Sequence, residues 1–531
     1  MMRLSWLSMV FGLAAFLLSA SMINHGLVES SLPAGPGLTL DESFNIDQGV
    51  YLADAIGDHG PLLFAPETAR KVFGAKRFLP DHPPLGRVWL GIVHQATSWF
   101  VPGSESTVYN VPAARLGSCL ALAFMVILLT EYSFRVRGTA AALGAGLMLL
   151  GMPHLVGHAR LAALESCTNL AWVVALLPLL SWWTSDRAPT NRQAILSGVC
   201  WGLLLLTKVQ GILLPPAILI WAVLRFREQA IRPLLLWGIA GAIVFFVGWP
   251  WLWQDPVGHT LRFLGRTTDR QTLYCWYFGE RYADKLVPWH FPFVTLLFSF
   301  PAWWIISLLL RIRQRLAAPE QLMLLSSLIP LCVFAFPGIP VYDGTRLFLI
   351  VMPACAMIAG RGFETVWNLQ LAARASHLVR AVTVSALAVI PLAWTMQPFA
   401  INQYGVVCGG NRGAARLGME ACYWSDALNS EFWKQIPEGT TLAVAPVSHQ
   451  FQLSDLESLV PIISQRRIKL VPYFYEEDKS DHDLLLIHRL ADLRPELQAD
   501  PPGTERLMTF QQSGVICARV LRRKSRSLLN E

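Results

Sequence analysis

Two carboxylates stand side by side at Asp41-Glu42, in the segment GLTLDESFN that follows the first long apolar run. A carboxylate partly withdrawn from water has a raised pKa and accepts a proton near neutrality, so an acidic pair at a membrane face points to general-base chemistry. The bland alternative is a solvated loop, or the cap of a helix starting at Ser43. Asp81-His82-Pro83-Pro84 comes next. Its prolines stiffen the start of a helix, and the histidine fixed there can donate to a phosphate or hold a carboxylate; otherwise this is a simple helix-leading turn. Between two later apolar runs lies His158-Ala159-Arg160 followed by Glu165. A glutamate at this depth is costly without a purpose or a partner, and Arg160 is the obvious partner, in a structural ion pair or in a site. Lys208 in LLTKVQG and Arg346 in VYDGTRLF each stand at the end of an apolar run. Point charges there either hold a lipid phosphate or snorkel to the interface. A last group interleaves Trp249, Trp251, Trp253, Trp276 and Trp289 with His259, Arg262, Arg266, Arg270 and His290, a mixture suited to an anionic amphiphile.

The elements that must position these residues are mostly membrane spans. Of 531 residues, 53% are hydrophobic and 15% charged, against about 25% charged in soluble chains. Basic clusters fall at Arg135/Arg137, Asp186 to Arg192, Arg225 to Arg232, Arg311/Arg313/Arg315 and Arg361 to Arg380, at every second connection between apolar runs. Cytoplasmic loops carry such excess, so the formal net charge of +7 reflects orientation and no nucleic-acid partner is implied. Leu4–Ile23 approaches full span length and reads as an uncleaved first helix. Leu85–Val101, with Arg87, His94 and Gln95, would invert every later cluster if it crossed, so it reads as an interfacial helix. The remaining spans are predicted at Ala113–Tyr132, Ala140–Pro153, Thr168–Thr184, Ala194–Leu206, Ile212–Phe226, Leu234–Trp253, Trp289–Leu310, Gln321–Phe336, Leu347–Gly360 and Leu378–Met396, eleven with the first.

The fold class expected is therefore a polytopic α-helical membrane domain over 1–400, with outer loops at 24–112 and 254–288, and a small α/β domain over 401–531. In the latter, apolar runs shrink to strand length at Thr441–Ala445, Ile468–Tyr473, Asp483–Ile487 and Val515–Leu521. Nine cysteines show no metal spacing; Cys408 and Cys422, placed outside the membrane, are candidates for a disulfide. No nucleotide-binding loop is present, so an outward-facing enzyme needs an activated substrate carried in the membrane, which a lipid-linked phosphate supplies. No cofactor is demanded. A divalent metal held by His82, His259, His290 and the acids is compatible with the residue types, although no spacing requires it.

Taken in order, these segments resemble the membrane glycosyltransferases with the C-type fold, of the protein O-mannosyltransferase and bacterial aminoarabinose transferase types. The resemblance covers residues 1–400. It is carried by Asp41-Glu42, His82-Pro83-Pro84-Leu85, Ala159-Arg160-Leu161 with Glu165, Leu206-Thr207-Lys208, Trp249-Pro250-Trp251 with Asp255-Pro256, and Asp343-Gly344-Thr345-Arg346. It implies transfer of a hexose or pentose from a polyprenyl-phosphate donor to a protein, lipid or glycan acceptor. The active site would face outside or into the periplasm from a bacterial inner membrane, and direct attack would invert the anomeric carbon. Asp41 takes the role of base, with Glu42 in support. Glu165 shapes the site where relatives often carry Asp, while Lys208, Arg346 and Arg160 hold the leaving phosphate. His82, Asp81, His259, His290 and Asp343 are supporting residues. The rival class is a transporter or flippase of a lipid-linked or anionic substrate, which calls for ionisable groups near the bilayer midplane and two related halves. A lipid-binding scaffold without catalysis is the third reading.

Overall fold

A computed structural model describes residues 4–27, 35–103, 107–265, 271–372, 400–423, 425–447, 449–473 and 482–523. The last predicted span, Leu378–Met396, and residues Arg266, Arg270 and Arg380 lie outside them. The chain is mainly helical up to Ala372. The elements that frame the site are α1 (Trp6–Ala20), α2 (Leu40–His59), α3 (Pro84–Thr97), α4 (Val111–Arg137), α5 (Leu164–Pro178), α6 (Asn191–Leu205), α7 (Leu214–Phe226), α8 (Ile231–Gly248), α9 (Phe291–Ser299), α10 (Ala302–Ile312), α11 (Ala318–Phe334) and α12 (Met352–Ala372).

Among the described residues four helical runs are long and apolar enough to cross a membrane: Val111–Arg137, Leu164–Trp183, Val209–Gly248 and Arg346–Asn368. The protein is an integral membrane protein, and the structure departs from the simple march of eleven spans. Predicted spans 6 and 7 form one run turned at Arg227 (φ 51°). The predicted span Trp289–Leu310 is broken: α9 and α10 meet at 111°. The cause is Pro301, which lacks an N–H and forces Phe300 out of helical geometry (φ −75°, ψ 129°). Other predicted spans are shorter apolar helices, including Trp6–Ala20, Thr139–Leu150 and Ala318–Phe334. Aliphatic side chains such as Leu219, Leu224, Leu235, Ile239 and Ile243 are exposed along α7 and α8. Water would penalise such a surface and lipid does not.

The helix after the first run begins earlier than Ser43. Thr39 precedes it, and the Glu42 side chain folds back to accept from the Thr39 amide (2.8 Å), so Asp41 and Glu42 sit in the first turn of α2. Acidic groups there meet the positive end of the helix. α3 packs against α2 backbone to backbone: a Cβ on Gly91 would lie 1.9 Å from the Gly49 carbonyl oxygen. α4 is capped by the Asn110 side chain, which accepts from Ala113 N at 3.1 Å, and it stops at Gly138 (φ 86°).

Residues 441–523 carry a mixed five-stranded sheet, and a two-stranded antiparallel hairpin lies between α8 and α9. The hairpin strands are β1 (Tyr274–Tyr277) and β2 (Glu280–Ala283); the sheet strands are β3 (Thr441–Ala445), β4 (Lys469–Pro472), β5 (Asp483–Ile487), β6 (Thr504–Gln512) and β7 (Val515–Arg523). The sheet order is β4-β3-β5-β7-β6, with β4, β3 and β5 parallel and β7 and β6 antiparallel additions. Its core includes Phe432, Trp433, Leu442 and Leu485, and it is continuous with Leu38 and Ile46 from the start of α2. The sheet domain is thereby packed onto the helix that carries the acidic pair. All nine cysteines are free thiols, so Cys408 and Cys422 are not paired.

Candidate active site

Arg346 is the hub of the site. It opens a short helical turn, Arg346–Val351, just after the left-handed pair Asp343 (φ 57°) and Gly344 (φ 60°), and that bend turns its side chain back into the protein. One guanidinium meets three carboxylates: Nη2 bonds Asp41, Nε bonds Glu165 (2.7 Å) and Nη1 bonds Asp343 (2.9 Å). Lys208 Nζ bonds the same Glu165 oxygen at 2.7 Å. Residues 41, 165, 208 and 346, separated by as many as 305 positions in sequence, therefore form one ion network. Their exposure differs in a way that decides roles. The Glu165 side chain is 2% exposed and that of Asp41 is 41% exposed, so Asp41 alone of the two offers an oxygen to an incoming molecule.

Glu42 is a different kind of acid. It is wholly buried and saturated by Arg115 (Nε 2.8 Å, Nη2 2.9 Å), the Thr39 amide and hydroxyl, and the Ala162 amide (2.7 Å). Arg115 also donates to the Pro36 and Gly37 carbonyls. A carboxylate so fully bonded has no lone pair left for substrate, so Glu42 supports Asp41 by pinning the chain beside it. The sequence reading passed over Arg115, although an arginine inside a predicted span was a usable signal.

The Asp81–Pro84 turn is held against this network, since Leu85 N donates to Leu206 O (2.9 Å). Asp81 forms a two-pronged bond with Arg87 (2.6 and 2.9 Å), and Arg87 Nε reaches Asn45 of α2 (3.2 Å). Burial, and then the neighbouring Arg87, lower the His82 pKa to about 4, so its imidazole is neutral at pH 7. Arg160 is buried, but Glu165 bonds Lys208 and Arg346 instead of the partner expected for it. The reason is local: Arg160 lies in a turn (Arg160 N to Gly157 O, 3.1 Å), and α5 begins only at Leu164. Arg160 stands beside Cys119.

His259 and His290 bond elsewhere. His259 stacks on Trp251 (3.9 Å between centroids) with Nδ1 against the Trp251 carbonyl, and His290 Nδ1 bonds the Tyr277 hydroxyl at 2.7 Å. Among the described residues no group of three His, Cys, Asp or Glu side chains is placed to hold a metal ion. Two contributors come from beyond residue 400. Tyr423 lies under the Arg346 guanidinium (5.6 Å), and Arg489 bonds Asp343 (2.5 Å) and Asp492 (2.6 Å). Nothing local in HRLADLRPE distinguishes Arg489, whose role exists only through the fold.

Residues 103–253 match the family described as dolichyl-phosphate-mannose-protein mannosyltransferase. The whole chain has the fold of ArnT from Cupriavidus metallidurans in the apo state, with TM-score 0.51, 13% identity, and coverage of 96% of this chain and 97% of that one. The same protein bound to undecaprenyl phosphate gives 0.49 at 14% identity over 97% of both chains. The oligosaccharyltransferase of Archaeoglobus fulgidus gives 0.43 at 12%, over 87% of this chain and 64% of that one. No curated protein sequence matches. The fold is that of ArnT, and residues 103–253 resemble the mannosyltransferase family, in line with the expected resemblance to the C-type membrane glycosyltransferases.

Proposed function

We propose that this protein transfers a sugar from a polyprenyl-phosphate carrier to an acceptor hydroxyl on the non-cytoplasmic side of a bacterial inner membrane. The observation that carries the reading is the half-open carboxylate of Asp41 sharing Arg346 with the buried Glu165–Lys208 couple. The match to a family named for a polyprenyl-phosphate mannose donor supports the choice of donor.

In the resting arrangement Arg346 occupies Asp41. A donor phosphate arriving between Lys208 and Arg346 competes for the guanidinium, and each bond it gains loosens the hold on Asp41. Asp41 then accepts the acceptor hydroxyl proton, the oxygen forms its bond to the anomeric carbon, and the carbon–phosphate oxygen bond breaks with its electron pair leaving on the polyprenyl phosphate. Attack opposite the leaving group inverts configuration. Charge grows on the phosphate as that bond breaks, and cations already in place stabilise it. Neutral His82 adds no charge to this balance.

Asp41→Asn keeps the shape and removes the base. Transfer from radiolabelled polyprenyl-phosphate sugars should fall about 10²- to 10⁴-fold, with membrane insertion and polyprenyl-phosphate binding retained. Undiminished transfer in that variant would remove Asp41 from the mechanism.

A further inference from the structure

Next to the ion network lies a cavity that the mechanism above does not use. It is enclosed by α9, the turn at Asp343, the hairpin strand β1 and the segment around Tyr423. Several buried polar atoms of its lining residues have no partner among the described residues: His154 Nδ1, His158 Nε2, Thr295 Oγ1 and Trp276 Nε1. His154, His158 and Thr295 are each no more than 3% exposed. Buried polar atoms are ordinarily satisfied, and several unsatisfied ones on one wall mark a place built for something to bond.

The kind of ligand follows from what these atoms offer. His158 Nδ1 lies 2.8 Å from the His154 carbonyl oxygen, which only accepts, so Nδ1 carries a proton; in the neutral ring that burial favours, Nε2 is then a bare acceptor. The Trp276 N–H only donates, and the Thr295 hydroxyl does both. A phosphate, which offers acceptors, would leave His158 Nε2 unsatisfied. An ammonium, which offers donors, would leave Trp276 unsatisfied. Hydroxyl groups donate and accept, and several on one rigid ring meet these three demands and that of His154 Nδ1, which a hydroxyl satisfies in either tautomer. Trp276 and Tyr423 add aromatic carbon to the lining, which suits the apolar C–H surface of such a ring. Tyr423 also lies under Arg346, so a ring held here adjoins the reacting centre.

We propose that this cavity is a sugar-ring subsite, recognising a neutral polyhydroxylated ring through His158, Thr295 and Trp276. The proposal rests on the glycosyl-transfer reading and names where a ring sits. Two rings are chemically eligible, the donor's and a glycan acceptor's, and one set of measurements separates them. Thr295→Val deletes one hydroxyl with little change of shape, and Trp276→Phe deletes the indole N–H while keeping a smaller aromatic ring; Thr295→Ser retains the hydroxyl and serves as control. With full-length protein in lipid nanodiscs, affinity is measured for bare polyprenyl phosphate and for a panel of polyprenyl-phosphate hexoses and pentoses. Transfer is followed with membranes of a strain lacking the protein as acceptor.

If the donor ring sits here, each variant binds the best sugar-bearing carrier about tenfold more weakly, while bare polyprenyl phosphate binds as before and the Ser control is unaffected. If an acceptor ring sits here, both carriers bind normally and the KM for the membrane acceptor rises by a similar factor. Unchanged affinity and unchanged KM in both variants would mean that the cavity holds only solvent, and would overturn the proposal. A wild-type protein that neither binds nor turns over any carrier would instead refute the glycosyl-transfer reading, and this proposal with it.

Discussion

Asp41 and Glu42 are neighbours with the same functional group and opposite fates. The helical turn sends one carboxylate toward the open face and the other into a nest of five donors. Glu42→Gln would leave the Arg115 guanidinium buried with its charge uncompensated, which costs about 3–5 kcal/mol. The expected result is a large drop in thermal stability with loss of folded protein, whereas Asp41→Asn should melt close to wild type; equal melting behaviour of the two would contradict this division. The pair itself was legible in the sequence, as were Lys208, Arg346 and Glu165, because charges beside apolar runs are conspicuous. Which acid is exposed does not follow from the two residues themselves, since exposure is set by residues as distant as Arg115 and Ala162; only the family resemblance separates Asp41 as base from Glu42 as support. The Arg160–Glu165 pairing failed for a related reason. Sequence proximity suggested it, but a turn intervenes and a residue 181 positions away supplies the guanidinium.

At the scale of elements, hydrophobic pattern located α4, α7, α8 and the strands β3 and β5 closely, because each is apolar almost throughout: α4 and the strands are mostly buried in the protein, and α7 and α8 expose an apolar surface suited to lipid. It missed the break between α9 and α10, where Pro301 was visible but the apolar run continued through it. It also missed β6, whose TERLMTFQQ sequence lies at the sheet edge with only Phe510 buried and so carries little burial pattern. The contact of α2 with α3 depends on two glycines rather than on any apolar stripe. Gly91→Ala sets a methyl against the Gly49 carbonyl, and the helices must part to admit it. A loss of about 1–3 kcal/mol is expected, with a larger loss of transfer activity, since α2 carries Asp41 and the start of α3 carries the His82 turn. A variant with full activity would show that this contact does not position the site.

Across the whole molecule, the sheet domain is tied to the membrane helices through Glu420, Asp343 and Arg489. Glu420 accepts from the Leu490 and Ala491 amides, and the Tyr404 hydroxyl donates to its carbonyl. Burial pushes the Glu420 carboxyl up to about 7, against the pull of Arg489. A carboxyl raised in the folded state contributes stability that is complete below its ordinary value near 4.5, and that is lost as pH rises through about 7. Buried Asp426, also raised by its burial, acts in the same direction. Melting temperature measured from pH 5 to 8 should therefore decline in the wild type, and Glu420→Gln should flatten part of that slope. An identical slope in both proteins would exclude Glu420 as the source. None of this was readable beforehand, because the junction joins segments that carry no mutual signal in the chain.

The sharing of Arg346 among three acids has a consequence for the idle protein. While no carrier is bound, the one carboxylate open to water is clamped by a cation, so stray water molecules meet a weakened proton acceptor. Under the proposed reading the carrier's own charge would draw Arg346 away and set this base free, so the base would be switched on by its substrate with no lid or moving domain.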